Sequence, residues 1–290
     1  MGTYLGQNFL IDSKVKLFIA KKIEELYKKL NCNAIVEIGP GKGAITKYIN
    51  QISDNFFVIE KDEKMKKILI ENGNIGNGKI IVGDVLDMGI KEMGKVKGER
   101  NKVKGTRGKA TGERKKMEEN ELSVINSSSL FPCHSSLLIV GNLPYYITSP
   151  ILRKFFADEK NNCAGGIFMI QKEVGEKIKS DANKKSFLRR LLNYGYEINI
   201  LKVIKPKSFS PSPKVDSCLI SIIKKKSKTD LDFANMMEFL EVYAKFSRKT
   251  LGKIQKIAEK QKLNKFTIPE ILKSKRLEEL SLNDLTSFLN

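Results

Sequence analysis

The sequence predicts an α/β protein with a largely parallel sheet, followed by a small all-helical domain. Three observations lead there. Short apolar runs of strand length alternate with stretches of helical periodicity over most of the chain. A glycine-rich turn, Gly39-Pro40-Gly41-Lys42-Gly43, follows the first such run directly. Strand signals stop after Lys224-Lys225-Lys226, and residues 234–290 keep only helical spacing.

The elements follow in order. Ser13 is placed to cap a helix carrying Val15, Phe18, Ile19, Ile23, Leu26, Tyr27 and Leu30 at helical spacing. Ala34–Ile38 reads as a buried strand, and Ala44–Ile52 as the helix after the glycine turn. Phe56–Ile59 is a second strand ending at Glu60, Asp62 caps a helix to about Ile70, and Lys79–Val82 is a third strand closing on Gly83-Asp84. Leu137–Val140 resumes the pattern and runs into Gly141-Asn142-Leu143-Pro144-Tyr145-Tyr146. A helix from Ser149 has Pro150 in its first turn. Gly166–Ile170 is the next strand, Lys172–Lys179 and Lys184–Asn193 are helical, and Ile198–Ile204 with Val215–Ile223 form an antiparallel pair. The domain boundary falls near 225, giving 1–225 and 226–290.

Between the third and fourth strands the pattern breaks, from about 89 to 136. Residues 95–115 repeat a basic heptad three times, each copy with Gly at its fourth place, which opposes a coiled coil. Residues 91–118 hold 11 Lys/Arg against 4 Asp/Glu. Such a segment buries too little apolar surface to offset ordering entropy and reads as a disordered basic insertion.

Composition narrows the function classes. Of 290 residues, 53 are Lys or Arg and 33 Asp or Glu, a net charge of +20. A field of that sign suits a polyanionic partner, either nucleic acid or an acidic membrane surface. No run of about 18 apolar residues is present, so no membrane span is expected. Met1–Leu10 lacks the layout of a secretory leader. Cys32, Cys133, Cys163 and Cys218 are far apart and His134 is the single histidine. A metal site and a disulfide framework are therefore not expected, and a cytoplasmic setting is.

Candidate chemistry gathers at strand ends. Glu37-Ile38-Gly39-Pro40-Gly41 can bring backbone close to a ligand at a helix N-terminus. Glu60, about 20 residues on, can accept both hydroxyls of a ribose. NAD and S-adenosylmethionine share those needs. Asp84 can accept from an adenine amino group, which favours the second. The segment Asn142-Leu143-Pro144-Tyr145 carries the reaction type. An exocyclic amine on a base is a poor nucleophile because its lone pair is delocalised into the ring. The Asn142 oxygen and a backbone carbonyl near Leu143–Pro144 can take both amine hydrogens and point the lone pair at a methyl donor. Tyr145 can stack on the flipped base.

The chain resembles the ribosomal RNA adenine dimethyltransferases of the KsgA type. The resemblance rests on Leu5-Gly6-Gln7-Asn8-Phe9-Leu10, Glu37–Gly43, Gly83-Asp84, Asn142–Tyr146, Gln171-Lys172-Glu173-Val174 and Phe209–Ser217. It implies a Rossmann-like S-adenosylmethionine-dependent methyltransferase fold with a seven-stranded, mostly parallel sheet. It also implies two methylations on each of two adjacent adenosines in a hairpin loop near the 3′ end of small-subunit rRNA. By the same resemblance Gln7, Asn8 and Leu10 cover the cofactor, and Phe209 is a second stacking face, with packing between prolines as its competing reading. Arg248 and Lys249 lie in a terminal region, 224–290, with 15 basic and 9 acidic residues, suited to phosphate contact. The partner is small-subunit rRNA or an assembly intermediate, met by a monomer away from membranes. Three alternatives use parts of the same pattern: a large-subunit rRNA methyltransferase of the antibiotic-resistance type, a non-catalytic RNA-binding assembly factor, and a dehydrogenase. Leu5–Leu10, Lys214–Ser217 and the helical tail favour the small-subunit family over the first.

The chain departs from the family in the long 89–136 stretch, in Lys184–Leu188, and in lacking basic residues before Leu5. Replacing 95–115 by a short Gly/Ser linker is expected to preserve folding and site choice. RNA binding should weaken mainly at low salt, with a flatter salt dependence. Filter binding across a salt series checks this; loss of dimethylation at high salt in a folded variant would show specific recognition instead.

Overall fold

In the computed structural model the described residues are 8–73, 75, 79–88, 136–144, 146–157, 163–180, 186–226, 230–263 and 266–289. Gln7, Tyr145 and the basic repeat at 95–115 lie outside them. β1 is Phe9–Leu10, β2 Ala34–Ile38, β3 Phe56–Glu60, β4 Ile80–Val82, β5 Leu137–Asn142, β6 Cys163–Gln171, β7 Tyr196–Ile204, β8 Phe209–Ser210 and β9 Ser217–Lys224. The helices are α1 Ser13–Lys29, α2 Thr46–Ile49, α3 Glu63–Glu71, α4 Thr148–Ala157, α5 Lys172–Lys179, α6 Phe187–Gly195, α7 Asp230–Tyr243, α8 Leu251–Lys260 and α9 Leu282–Leu289.

Every residue of β2 and of β3 is buried, as strands covered on both faces must be. Side chains still alternate. Ile35, Phe56, Val58, Leu138 and Val140 join one apolar cluster with Val15, Ile19, Ile23 and Leu26 of α1. Val36, Ile38, Phe57, Ile59 and Ile139 join the opposite cluster with Ile151, Leu152, Phe155 and Phe156 of α4. The seven-stranded sheet runs β4-β3-β2-β5-β6-β9-β7. All pairs are parallel except the two made by β9, which lies antiparallel to β6 and to β7. The chain winds outward from β2 through β3 to β4, then restarts beside β2 with β5. That reversal is a switch point, where a crevice opens beyond the carboxyl ends of the strands.

The second cluster continues into the C-terminal helices. Tyr196 meets Phe233 edge-on at 5.6 Å, and Phe239 stacks on Tyr243 at 4.3 Å. Leu251, Ile254, Leu285 and Leu289 extend the same apolar contact. Buried Arg190 of α6 donates to the Leu280 carbonyl at 3.4 Å, joining the sheet side to this helical region. Among the described residues no helix is long and apolar enough to cross a membrane.

Several element boundaries differ from the sequence expectation. Asp12, not Ser13, caps α1: its Oδ1 accepts from Lys14 N–H at 3.0 Å and Val15 N–H at 3.2 Å, with Ser13 already helical. Of the helix expected at Ala44–Ile52, only Thr46–Ile49 forms, because Ile52 closes a turn onto Ile49 instead. β6 starts at Cys163 rather than Gly166, since strand neighbours approach so closely that a Cβ at Gly165 would sit 2.7 Å from the Ile222 carbonyl. Helix α6 begins at Phe187 after an extended Ser186, and Lys184, the expected start, lies outside the described residues. Val215 stays outside β9 and exposed, at the end of a loop whose Pro211 and Pro213 have no N–H to donate to a ladder. The two-residue pair β1–β8 had no periodicity to reveal it.

Gly141 permits the tightest contact at the switch point. A Cβ there would stand 2.8 Å from the Ile38 carbonyl oxygen of β2, a backbone atom with little freedom to move. Gly141→Ala is therefore expected to destabilise the protein by about 1–3 kcal/mol, the scale of overpacking. Urea denaturation followed by circular dichroism checks it.

Candidate active site

The glycine turn leaves β2 with Gly39, Gly41 and Gly43 at φ +61°, +56° and +79°. These are left-handed backbone angles, open to glycine at no steric cost. Gly41 is constrained twice, since a Cβ would also lie 3.1 Å from the Phe9 ring. Lys42 covers that ring from its ammonium at 4.7 Å.

Glu60 ends β3 and ties the turn in place. Its Oε2 accepts from Gly41 N–H at 3.1 Å and its Oε1 from Asp62 N–H at 2.9 Å. Burial pushes its pKa up, and the N–H bonds from Asp62 and Gly41 pull against that rise. Asp84 follows β4 and Gly83. Its Oδ2 accepts from Lys61 Nζ at 2.8 Å and its Oδ1 from Leu86 N–H at 2.9 Å. The Lys61 bond holds this carboxyl below the usual range.

Glu37 is the fully buried member. Desolvation pushes its pKa up to about 8, the Thr46 hydroxyl moderates the rise, and Glu60 adds to it. By strict geometry Glu37 Oε2 and Thr46 Oγ1 are both left without a hydrogen-bond partner among the described residues.

Asn142 ends β5 on the other side of the crevice. Its Nδ2 donates to the Asn8 carbonyl at 3.1 Å. Leu143 N–H extends the ladder to the Met169 carbonyl at 3.0 Å. The Pro144 carbonyl accepts from Ile147 N–H at 3.2 Å and from the Thr148 hydroxyl at 3.1 Å. Of the two carbonyls that the sequence left open, Pro144's is thus already engaged.

These groups share one cleft with about 170 Å³ of open volume. Asn8, Leu10, Glu37, Gly39, Gly41, Glu60, Asp84, Asn142, Leu143 and Pro144 all line it. Phe209 lines it too, 4% exposed and paired across from Leu10. Arg248 and Lys249 do not line it; they are exposed on the turn before α8. Sequence reasoning missed Lys61, Tyr146 and Ser217, which also line the cleft. Lys61 had adjacency to Glu60 as its only signal, and Tyr146, 65% exposed at the rim, was overshadowed by its neighbour.

A family model described as ribosomal RNA adenine dimethylase matches residues 2–290. The chain belongs to this family. A relative from Francisella tularensis subsp. tularensis, a ribosomal RNA small subunit methyltransferase A, is 33% identical over 292 residues, covering 99% of this chain and 95% of its own. Among solved structures, a dimethyladenosine transferase from Plasmodium falciparum superposes with a TM-score of 0.59 at 18% identity, covering 96% of this chain and 94% of that one. The 23S rRNA methyltransferase ErmE gives 0.56 at 18%, covering 97% and 98%. At these identities the two structures establish the fold, a Rossmann-like methyltransferase fold.

The Glu37 environment carries a pH signature. Below about 4.5 the carboxyl is protonated in folded and unfolded chains alike. Between there and about 8 only the unfolded chain has released the proton, so stability falls as pH rises, and the fall levels off above that range. Glu37→Gln is expected to flatten this dependence and to be relatively more stable at the alkaline end. Urea midpoints of both proteins from about pH 5 to pH 9 check the sign.

Proposed function

We propose that the protein transfers methyl groups from S-adenosylmethionine to N6 of two adjacent adenosines in a hairpin loop near the 3′ end of small-subunit rRNA, giving N6,N6-dimethyladenosine. The observation that carries the reading is the meeting, in one cleft, of the Glu60–Gly41 and Asp84 groups with the Asn142-Leu143-Pro144 segment. Family membership supports it.

The donor set fits this cofactor. Three carboxyl groups, Glu37, Glu60 and Asp84, line the wall, and the lysine among them is already paired to Asp84. A pyrophosphate would face the Glu60 and Asp84 carboxyl groups with the Lys61 ammonium already engaged, which argues against a dinucleotide. Ribose hydroxyls, an adenine amine and a positively charged amino-acid end would each find an acceptor, and Glu37 Oε2 is a buried one without a partner. When bound, the cofactor supplies an electrophilic methyl on a sulfonium. Glu60 would hold the ribose, Asp84 the adenine, and the strap residues Asn8 and Leu10 would cover the group, with Gln7 preceding them.

The chain's own part in the reaction is alignment. Asn142 Oδ1 and the Leu143 carbonyl accept the two N–H hydrogens of the target amine. They hold its nitrogen toward tetrahedral geometry with the lone pair facing the donor. Tyr145 stacks on the flipped base, and Phe209 walls the pocket behind it. The methylated nitrogen is acidic and loses its proton to water, so no general base is required. The helical region 226–290, with Arg248 and Lys249 exposed on it, contacts RNA phosphates. The protein works as a cytoplasmic monomer on small-subunit rRNA or an assembly intermediate during ribosome biogenesis.

The deciding experiment offers labelled S-adenosylmethionine with undermethylated small subunits, large subunits or free rRNA, and maps the modified adenines. Label on two adjacent adenines of the 3′ hairpin is expected; label on large-subunit adenines would refute the reading. Asn142→Ala should lower turnover about tenfold or more while sparing donor binding, the weight of one hydrogen bond made in the transition state. Glu60→Ala should weaken donor binding by about 1–3 kcal/mol by calorimetry in a folded variant.

A further inference from the structure

The amide of Asn142 can serve the reaction in only one of its two orientations. With Oδ1 toward the cleft it accepts an amine hydrogen. Flipped, it would offer N–H to a group that already has two hydrogens to give. The carbonyl of Asn8 decides between them, because it takes the Nδ2 hydrogen at 3.1 Å and would repel Oδ1 in the same place. Asn8 has no regular element to hold it. It lies in a strap, residues 8–12, whose Asn8, Phe9 and Leu10 line the cleft before α1 starts.

One polar junction anchors the strap. The Ser208 carbonyl accepts from Ile11 N–H at 2.9 Å and from Asp12 N–H at 3.3 Å. The Ser208 hydroxyl, in a residue 4% exposed, donates to Asp12 Oδ2 at 3.0 Å. The other oxygen of Asp12 caps α1. The junction thus fixes the start of α1, the 206–208 turn and, through β1–β8 pairing, the register of Phe9 with Ser210 and Leu10 with Phe209. Phe9 in turn rests where a Gly41 Cβ would be.

We propose that Asp12 and Ser208 are positioning residues for methyl transfer: through the strap they hold the Asn8 carbonyl where it orients the Asn142 amide. Neither touches the reacting atoms. The inference rests on the methyl-transfer reading above, and its structural half can be measured without turnover. The consequence is that a residue 66 positions after Asn142, on the far loop, controls which face of that amide the substrate meets.

The test uses Ser208→Ala and Ser208→Thr in the full chain, both checked for wild-type melting. With undermethylated small subunits and labelled S-adenosylmethionine, Ser208→Ala should lower kcat about tenfold and leave KM for the subunit within about twofold, while Ser208→Thr, which keeps the hydroxyl, restores kcat. In parallel, the Asn142 side-chain amide is followed by nitrogen-15 NMR, identified by its loss in Asn142→Asp. Its protection from hydrogen exchange should fall in Ser208→Ala and return in Ser208→Thr. Unchanged protection in Ser208→Ala overturns the proposal, as does a fall in kcat that Ser208→Thr fails to restore. If the wild type methylates no rRNA while the amide still responds, the functional reading fails and the positioning link stands.

Discussion

Parallel pairing of β2 with both β3 and β5 is the constraint on which the site depends. A strand flanked by two parallel neighbours cannot reach either by a hairpin, so the chain leaves and returns by crossovers. All three strands then end on the same edge, and the crossovers diverge there. Ile38, Glu60 and Asn142 close those strands within one crevice. The approach of β5 to β2 needs Gly141 at the contact, and the exit from β2 needs the left-handed angles of Gly39 and Gly41. The hydrogen bond from Gly41 N–H to Glu60 then locks the turn to the next strand, so a cofactor would meet a preformed wall.

The electrostatics work on two scales. A net charge of +20 draws the chain toward RNA over its whole surface. Inside the cleft Glu60 and Asp84 place carboxyl groups on the wall, while burial keeps Glu37 protonated up to about pH 8. The outer field favours a polyanion without discriminating among its parts. Lys61 marks the boundary between the two regimes, with its ammonium spent on Asp84.

Much of this was legible in the residues. Glu60 and Asp84 were found because a parallel strand ends on a fixed edge, so the residue after each apolar run is placed by the run itself. Asn142 was found in the same way, with its chemistry read from the donor and acceptor count of an amine. Boundaries were less legible where glycine stands in a strand, as at Gly165, because the reason for it lies on the neighbouring strand. Asp12 was missed as a cap because Ser13 is as good a capping residue by type. The choice depended on Ser208, a residue distant in sequence whose hydroxyl engages the other Asp12 oxygen.

Local pattern and spacing by themselves determined the α/β class, the order of strands and helices through Glu60, the glycine turn and the acids that follow the strands. These depend on side-chain periodicity and backbone freedom, which are properties of neighbouring residues. Tertiary structure alone decided that Phe209 pairs beside Leu10, that the Pro144 carbonyl is engaged, and that the Asn142 amide donates to the Asn8 carbonyl. Each of those joins segments through a single hydrogen bond or a two-residue ladder, too short to leave a period. The burial of Glu37 belongs with them, because desolvation is set by everything packed around a group and not by its own sequence.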